Sequence, residues 1–353
     1  MLNHFINNQI IVKTNQLILA TLALVALAAC SKAEVNSLDN EIGFRAVTAR
    51  ATKANDAIIS GTTYGTDNSF KVWGWQSEAG DFSDVVNNAA SNFMSDLVIS
   101  YNGGPQSRAD AWRNADNYYY WPFTGKISFL AIHPEEVDPT TTGWDATNKK
   151  PQATIDDYTI SAANKTVDLM LANNEGARQA AALPMVFNHA LSQILVQVKT
   201  QENYTDDVKF DVNSVQFNKI DLSGDLAYAN NAFTWTDNDA QTEDWMYYNT
   251  AKENINNVAG DYGVANVMIP QAANEDDPAT PAVIEGTTLT ISYTMKQTGS
   301  AAITGTVVVP ASQLWEAGKK YVYTLNFKLN EILFDPTVTN WVTVNVDTIN
   351  ILD

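Results

Sequence analysis

Alternation of apolar and polar residues dominates the chain after residue 56. Residues 70–75 read FKVWGW, and the largely apolar run 127–132 also looks like a strand. Similar runs recur at 194–198, 215–220, 289–295, 304–309 and 321–329. A period of two residues predicts β-strands. Turn-forming sequences separate these strands, at 102–105, 222–225 and 317–320. Residues 83–97 are the best candidate for a helix.

Short strands with frequent turns indicate β-sandwiches rather than a parallel sheet with crossover helices. A length of 353 residues predicts roughly two domains, and a hydrophobic content of 45% is sufficient for two cores. A polar stretch, NEGARQ at 174–179, precedes a new apolar run. We therefore expect an all-β protein with a domain boundary at 182/183.

The N-terminal segment predicts export as a lipoprotein. Residues 1–29 hold one Lys and no acidic residue, and the run 17–29 is apolar apart from Thr21. It is too short for a membrane-spanning helix, which needs about 20 residues. It ends in LAAC, which resembles a lipobox, and Cys30 is the only cysteine of the chain. We interpret residues 1–29 as a lipoprotein signal peptide and Cys30 as the acylated residue that carries chains such as palmitate. The alternative is an ordinary signal peptide followed by an incidental cysteine.

Residues 31–56 are polar, with one short apolar alternation formed by Ile42, Phe44 and Ala46. This pattern predicts a tether that contains one strand. Three basic residues, Arg45, Arg50 and Lys53, lie among small residues here. Exposed segments of this composition are typical sites of proteolysis.

Composition and charge exclude several function classes. With 21 Lys and Arg against 40 Asp and Glu, the net charge is −19, which disfavours nucleic acid as a partner. One cysteine and three histidines disfavour a metal centre. The sequence contains neither a phosphate-binding Gly loop, which would indicate a nucleotide cofactor, nor a Gly-x-Ser-x-Gly elbow, which would indicate a hydrolase. His189 is the most plausible base of a Ser-His-Asp triad, although a histidine at the start of an apolar run is more typically structural. We expect no catalytic, cofactor or metal site.

Several motifs, in this order, resemble the fimbrillin family of Bacteroidetes, the subunits of type V pili. They are the lipobox ending at Cys30, TARATK at 48–53, YYWPF at 119–123 with ISF at 127–129, LPMVFNHALSQI at 183–194, MIPQ at 268–271, WEAGKKY at 315–321 and ILFDPTV at 332–338. Each motif is short, but the ordered set covers nearly the whole chain. The resemblance implies two transthyretin-like β-sandwich domains, export as a lipoprotein, and assembly by strand exchange after a trypsin-like protease removes a propeptide.

The resemblance and the sequence together predict a structural pilus subunit of the stalk rather than an enzyme. We expect a propeptide at 30–50 that contains the first strand, an N-terminal sandwich at 51–182 and a C-terminal sandwich at 183–353. The cut is expected after Arg50, with Arg45 and Lys53 as lesser candidates. Proteolysis there would remove the strand around Phe44 and leave an unpaired backbone ladder that can accept another strand.

The donor strand is predicted at 338–353. Its apolar positions alternate and then change phase, as Val342, Val344, Val346, Ile349 and Ile351. The alternative is that this strand completes its own C-terminal sheet. Expected partners are other copies and related pilus subunits, the maturation protease, and the outer membrane that anchors the lipidated precursor of the cell-surface fimbrium.

A second function class remains open, a surface lipoprotein that binds glycans through exposed aromatic residues. Five tryptophans of the N-terminal half would carry it: Trp73, Trp75, Trp112, Trp121 and Trp144. Aromatic residues at this density are more typical of cores and interfaces.

Overall fold

The computed structural model describes residues 40–48, 64–101, 112–204, 207–237, 243–271, 287–311, 314–329 and 332–340. Within these ranges the regular structure is β-strand, with no α-helix, so the predicted all-β class is confirmed. The strands are β1 (Phe44–Thr48), β2 (Ser69–Ser77), β3 (Met94–Tyr101), β4 (Trp112–Arg113), β5 (Lys126–His133), β6 (Thr141–Asp145), β7 (Lys150–Thr159), β8 (Met170–Gly176), β9 (Leu183–His189), β10 (Ser192–Thr200), β11 (Val208–Ile220), β12 (Ser223–Ala229), β13 (Ala232–Asp237), β14 (Glu243–Tyr248), β15 (Lys252–Ile255), β16 (Gly260–Asp261), β17 (Asn266–Met268), β18 (Thr288–Gln297), β19 (Ile303–Pro310), β20 (Lys319–Phe327) and β21 (Ile332–Asn340).

The first half of the chain forms a closed sheet in the order β1-β4-β3-β2-β5-β8-β9. Alternate residues of each strand point inside, and there Phe70, Val72 and Phe129 are fully buried. Strand β5 is buried on both faces, because Leu130 and Ile132 point outward into a second core. This explains why its sequence is a continuous apolar run rather than an alternation.

A four-stranded sheet, in the order β13-β12-β7-β6, covers the outer face of the closed sheet. Trp75 on β2 and Trp144 on β6 meet between them, with ring centroids 6.1 Å apart. The sheet combines a hairpin from the first half of the chain with a hairpin from the second, through antiparallel pairing of β7 with β12. The two halves therefore share a sheet and a core.

The second half is a sandwich of two five-stranded sheets. One contains β16, β10, β20, β21 and β17, and the other contains β14, β11, β18, β19 and β15. Aromatic residues connect the facing sides, since Phe217 lies 5.5 Å from Tyr323 and Phe210 lies 5.8 Å from Phe327, measured between ring centroids. The transthyretin-like layout stays a prediction.

Strand β9 pairs with β8 and with β1, so residues 183–189 belong to the closed sheet of the first half. The change to the second set of sheets falls after His189, one strand later than the predicted boundary at 182/183.

The predicted helix at 83–97 is wrong. Its last residues enter β3, and the rest is a loop held to the end of β2 by Asp84. The Asp84 carboxylate accepts hydrogen bonds from the Ser77 hydroxyl at 2.5 Å and from the backbone N–H of Glu78 at 2.8 Å. These side-chain contacts satisfy backbone donors outside a helix, which is why Asp and Ser favour loops over helix interiors.

Candidate functional site

Strand β1 is the element that closes the first sheet. It pairs in parallel with β9, with Phe44 opposite Leu183 and Thr48 opposite Phe187. On its other side Phe44 faces Trp112 of β4, in antiparallel pairing. A single short strand near the start of the described chain therefore fills the gap between two strands that do not pair with each other.

One face of β1 belongs to the core. Ile42, Phe44 and Ala46 are buried, whereas Arg45 between them is exposed, as the predicted alternation requires. The Phe44 ring meets Phe129 edge-on, with centroids 5.1 Å apart. Burial of the three apolar side chains contributes about 4–7 kcal/mol at the usual value per side chain. Removal of β1 would expose this surface together with the backbone groups of β9.

The residues before β1 are also fixed to the first sheet. The Ile42 N–H donates to the Tyr119 carbonyl at 2.7 Å, and the Trp121 N–H donates to the Asn40 carbonyl at 2.8 Å. The Arg113 guanidinium on β4 lies 3.4 Å from the Glu41 carboxylate, and both side chains are almost buried. The N-terminal strand is thus part of the folded structure from Asn40 onward.

Thr48 and Tyr64, the two described residues that flank 49–63, both contact Phe187. Thr48 pairs with Phe187, and the Tyr64 ring stacks on the Phe187 ring with centroids 5.0 Å apart. Tyr64 is buried, and burial raises the pKa of its hydroxyl. That hydroxyl donates to the Ser69 carbonyl at 2.8 Å and lies 2.8 Å from Nδ1 of His133. Thr48 and Tyr64, which flank residues 49–63, are therefore each held against the closed sheet.

His133 and His189 lie at the same end of the closed sheet, opposite Met170 on its two neighbouring strands. Burial lowers the pKa of His133. Nδ1 of His189, the candidate base, lies 2.5 Å from Oδ2 of Asp168, and both side chains are buried. A buried histidine of this kind positions strands rather than meeting a substrate. Among the described residues, no group of three or more His, Cys, Asp or Glu could hold a metal ion.

The C-terminal strand β21 lies at the edge of its own sheet and pairs with β20 along its length. Three residues of the predicted donor segment, Val338, Thr339 and Asn340, are in that pairing, where Val338 is opposite Tyr321. The other predicted site residues lie outside the described residues; they are Cys30, Arg50, Val342, Val344, Val346, Ile349 and Ile351.

The five tryptophans that would carry glycan binding are buried, and none exceeds 5% exposure. All five side chains face the two cores, as aromatic residues at this density more typically do, and their burial counts against the alternative of glycan binding through exposed tryptophans. The exposed aromatic residues are Tyr118, Tyr120 and Phe123, in the loop that holds Asn40 and Ile42. In the part of the chain that the structure covers, no helix has the length and hydrophobicity needed to cross a membrane.

Fold and site together define an all-β protein in which β1 closes one sheet and β21 lies at the edge of another. The chain belongs to the fimbrillin-like family, whose model matches residues 45–341. It is therefore a fimbrial or adhesion subunit of a cell-surface appendage and not an enzyme, as the sequence predicts.

Solved structures support the fold. A fimbrial protein from Bacteroides vulgatus is 18% identical, with a TM-score of 0.60 over 86% of this chain and 100% of its own. A protein from Bacteroides ovatus, described as a candidate cell adhesion protein, is 14% identical, with a TM-score of 0.52 over 87% of this chain and 99% of its own. A comparison with curated sequences finds no match.

The sequence did not indicate the parallel pairing of β1 with β9 or the cluster of Tyr64, His133 and Phe187. Both join residues far apart in the chain. The available signal was the apolar pattern of each separate segment, which marks strands but not their neighbours.

Proposed function

We propose that the chain is a stalk pilin, exported as a lipoprotein through Cys30 and assembled by strand exchange that a protease triggers. The observation that carries the proposal is the position of β1. It is short, lies near the start of the described chain, and closes a sheet between β4 and β9. Its removal would leave a slot with an apolar floor and an unpaired ladder, which is the usual form of an acceptor for an added strand.

Arg50 is the proposed cleavage site. A cut after Arg45 would divide β1 and leave Ala46 and Thr48 paired with β9, because both lie in the parallel register. A cut after Arg50 lies beyond Thr48 and would free the whole strand. Tyr64 is anchored separately on Phe187, which favours a mature chain that stays folded after β1 leaves.

The proposed donor is the segment 338–353, in which Val342, Val344 and Val346 enter the slot of the next subunit and Ile349 and Ile351 follow after the change of phase. Five buried aliphatic side chains contribute roughly 7–15 kcal/mol before the costs of ordering. The pairing of Val338 with Tyr321 supports a segment that starts from the subunit's own sheet edge and continues to a neighbour.

The test combines two pairs of variants, with ladder formation in SDS gels after trypsin-like digestion as the assay. Arg50→Ala should stay a folded monomer with an intact N-terminus, whereas Lys53→Ala should polymerise. Val344→Asp should be cut normally and fail to polymerise, because an unpaired buried carboxylate costs several kcal/mol. Thr343→Asp, which changes the opposite face of the same strand, should still assemble.

Polymers from Arg50→Ala that retain residues before Ile42 would overturn the trigger, and normal polymers from Val344→Asp would overturn the donor. A Val344→Asp monomer that does not fold would show that the segment belongs to its own sheet.

A separate experiment tests the lipid anchor. Metabolic labelling with a palmitate analogue should be lost in Cys30→Ser, and undiminished label would contradict lipidation at that residue.

A further inference from the structure

Strand β19 is an open sheet edge. It lies at the end of its sheet, and β18 is its one partner among the described strands, from Thr288 opposite Pro310 to Met295 opposite Ile303. No backbone hydrogen bond from another described segment reaches its free side. An antiparallel edge of this length leaves alternate N–H and C=O groups without a strand partner, and such an edge accepts another strand.

The side chains of β19 do not protect this edge. Ile303 and Val308 are each 58% exposed, and no charged residue occurs anywhere between Lys296 and Glu316. This uncharged stretch, residues 297–315, contains the whole of β19. Charged residues and prolines within edge strands are the common protection against pairing with another molecule. The only proline of β19, Pro310, stands at its last position.

The two faces of β19 have different surroundings. Val309 faces the core opposite Leu289, and the Tyr293 ring lies over Gly305, where an added Cβ would be 2.7 Å from the ring. The opposite face carries Thr304, Thr306 and Val308, all exposed. The free edge thus has a supported inner face and a small, uncharged outer face.

The other described edge strands are protected. Each carries at least one acidic residue, except β17, which spans three buried residues. The acidic residues are Asp145 on β6, Asp237 on β13, Glu243 and Asp244 on β14, Glu253 on β15, Asp261 on β16 and Asp335 on β21. The edge of β21 also has Pro336 within the strand. Pairing between two of these edges would bring like charges together.

We infer that β19 is a second assembly surface, on which it pairs with β19 of another copy of this chain, antiparallel across a twofold axis. Copies with a net charge of −19 repel each other. Two copies repel each other least where the facing surfaces carry no charge. Among the described edge strands, β19 is the long one without a charged side chain. Antiparallel pairing of a strand with its own copy is self-complementary and closes at two molecules. This contact is lateral and does not require removal of β1, so it differs from the strand exchange proposed above.

Sedimentation of the full chain with β1 in place tests the inference, because strand exchange is then blocked. We expect a monomer–dimer equilibrium, and Thr306→Lys should weaken it by about tenfold or more, since the twofold axis brings the two new charges close together. Met246→Lys, an exposed position on β14 at the other edge of the same sheet, is the matched control and should dimerise like the wild type. Equal melting temperatures for both variants would establish that the fold is intact.

A chemical cross-link identifies the occupant. In a Cys30→Ser background, Thr306→Cys should give covalent dimers with a short thiol-specific linker, and Met246→Cys should not. Any of three results would overturn the inference. The wild-type chain could stay monomeric, Thr306→Lys could leave the dimer as strong as before, or Met246→Lys could weaken the dimer as much as Thr306→Lys does. A photo-cross-link from position 306 to the partner's residues 338–353 would also overturn it, by assigning the edge to a different strand.

Discussion

Truncation of Phe44 in the uncleaved chain should lower the free energy of unfolding by about 3–5 kcal/mol, the usual cost of Phe→Ala in a core. The side chain is 1% exposed, and its ring meets Phe129 at 5.1 Å and Phe70 at 6.2 Å, both edge-on. Aromatic pairs of this geometry add about 0.5–1.5 kcal/mol each beyond the buried area. The upper half of the range is therefore expected for Phe44→Ala.

The same substitution should loosen β1 locally. If the strand opens without global unfolding, a loss of 3–5 kcal/mol raises the open population by about two to four orders of magnitude. Urea unfolding measures the global change, and hydrogen exchange at the amides that join β1 to β9 measures the local one. Arg45→Ala is the matched control in the same strand, and its exposed side chain should change stability by less than about 0.5 kcal/mol.

Proteolysis supplies the decisive comparison. Once the chain is cut after Arg50 and β1 has left, the variant and the wild type have identical sequences, so their stabilities should become equal. A Phe44→Ala chain within about 1 kcal/mol of the wild type before cutting would refute β1 as a core strand. A difference that persists after cutting would show that β1 stays bound without its covalent link.

Two further substitutions probe the closed sheet. Gly176→Ala should destabilise the fold by about 1–3 kcal/mol, because its Cβ would lie 2.6 Å from the buried Trp121 ring. Gly143→Ala is the control, because an added Cβ there has no neighbour nearer than 3.7 Å. Equal decreases in melting temperature for the two variants would contradict the reasoning. Burial lowers the pKa of His133, so its contribution to stability is complete above the unfolded value of about 6.5 and falls below it as the unfolded chain binds a proton, by at most about 1.4 kcal/mol per pH unit. His133→Gln should therefore reduce the dependence of the free energy of unfolding on pH, measured by urea titrations between about pH 7 and 5. If this pH dependence is unchanged in the variant, other groups cause it.

The sequence predicted the strands themselves well, but it did not predict which strands pair when they lie far apart in the chain. Phe70 and Val72 enter one core while Trp73 and Trp75 enter the other, so the alternation was real although both faces are covered. Nothing local indicates that β1 pairs with β9, because that contact joins Phe44 to Leu183 across most of the first half.

The failures have equally physical reasons. Residues 83–97 have helical spacing, but the Asp84 carboxylate satisfies the backbone at the end of β2 and holds the segment as a loop. The sequence left the exposure of the tryptophans open, because it does not show that a second sheet covers β2; Trp144 from that sheet packs directly on Trp75. The position of β19 at a sheet edge depends on the order of the strands, and the alternation of residues along the sequence gives no information on that order.

The four-stranded sheet gives the subunit a mechanical property. Its β7 and β12 come from opposite halves of the chain and pair from Ala153 with Tyr228 to Thr159 with Ser223. Two domains joined only by a linker bend at the linker and extend one after the other under tension. Here the halves separate only if this hydrogen-bonded ladder breaks together with the ring contact between Tyr158 of β7 and Trp235 of β13, whose centroids lie 5.9 Å apart, and this couples their yielding. Such a subunit would resist pulling as one unit rather than as two domains in series.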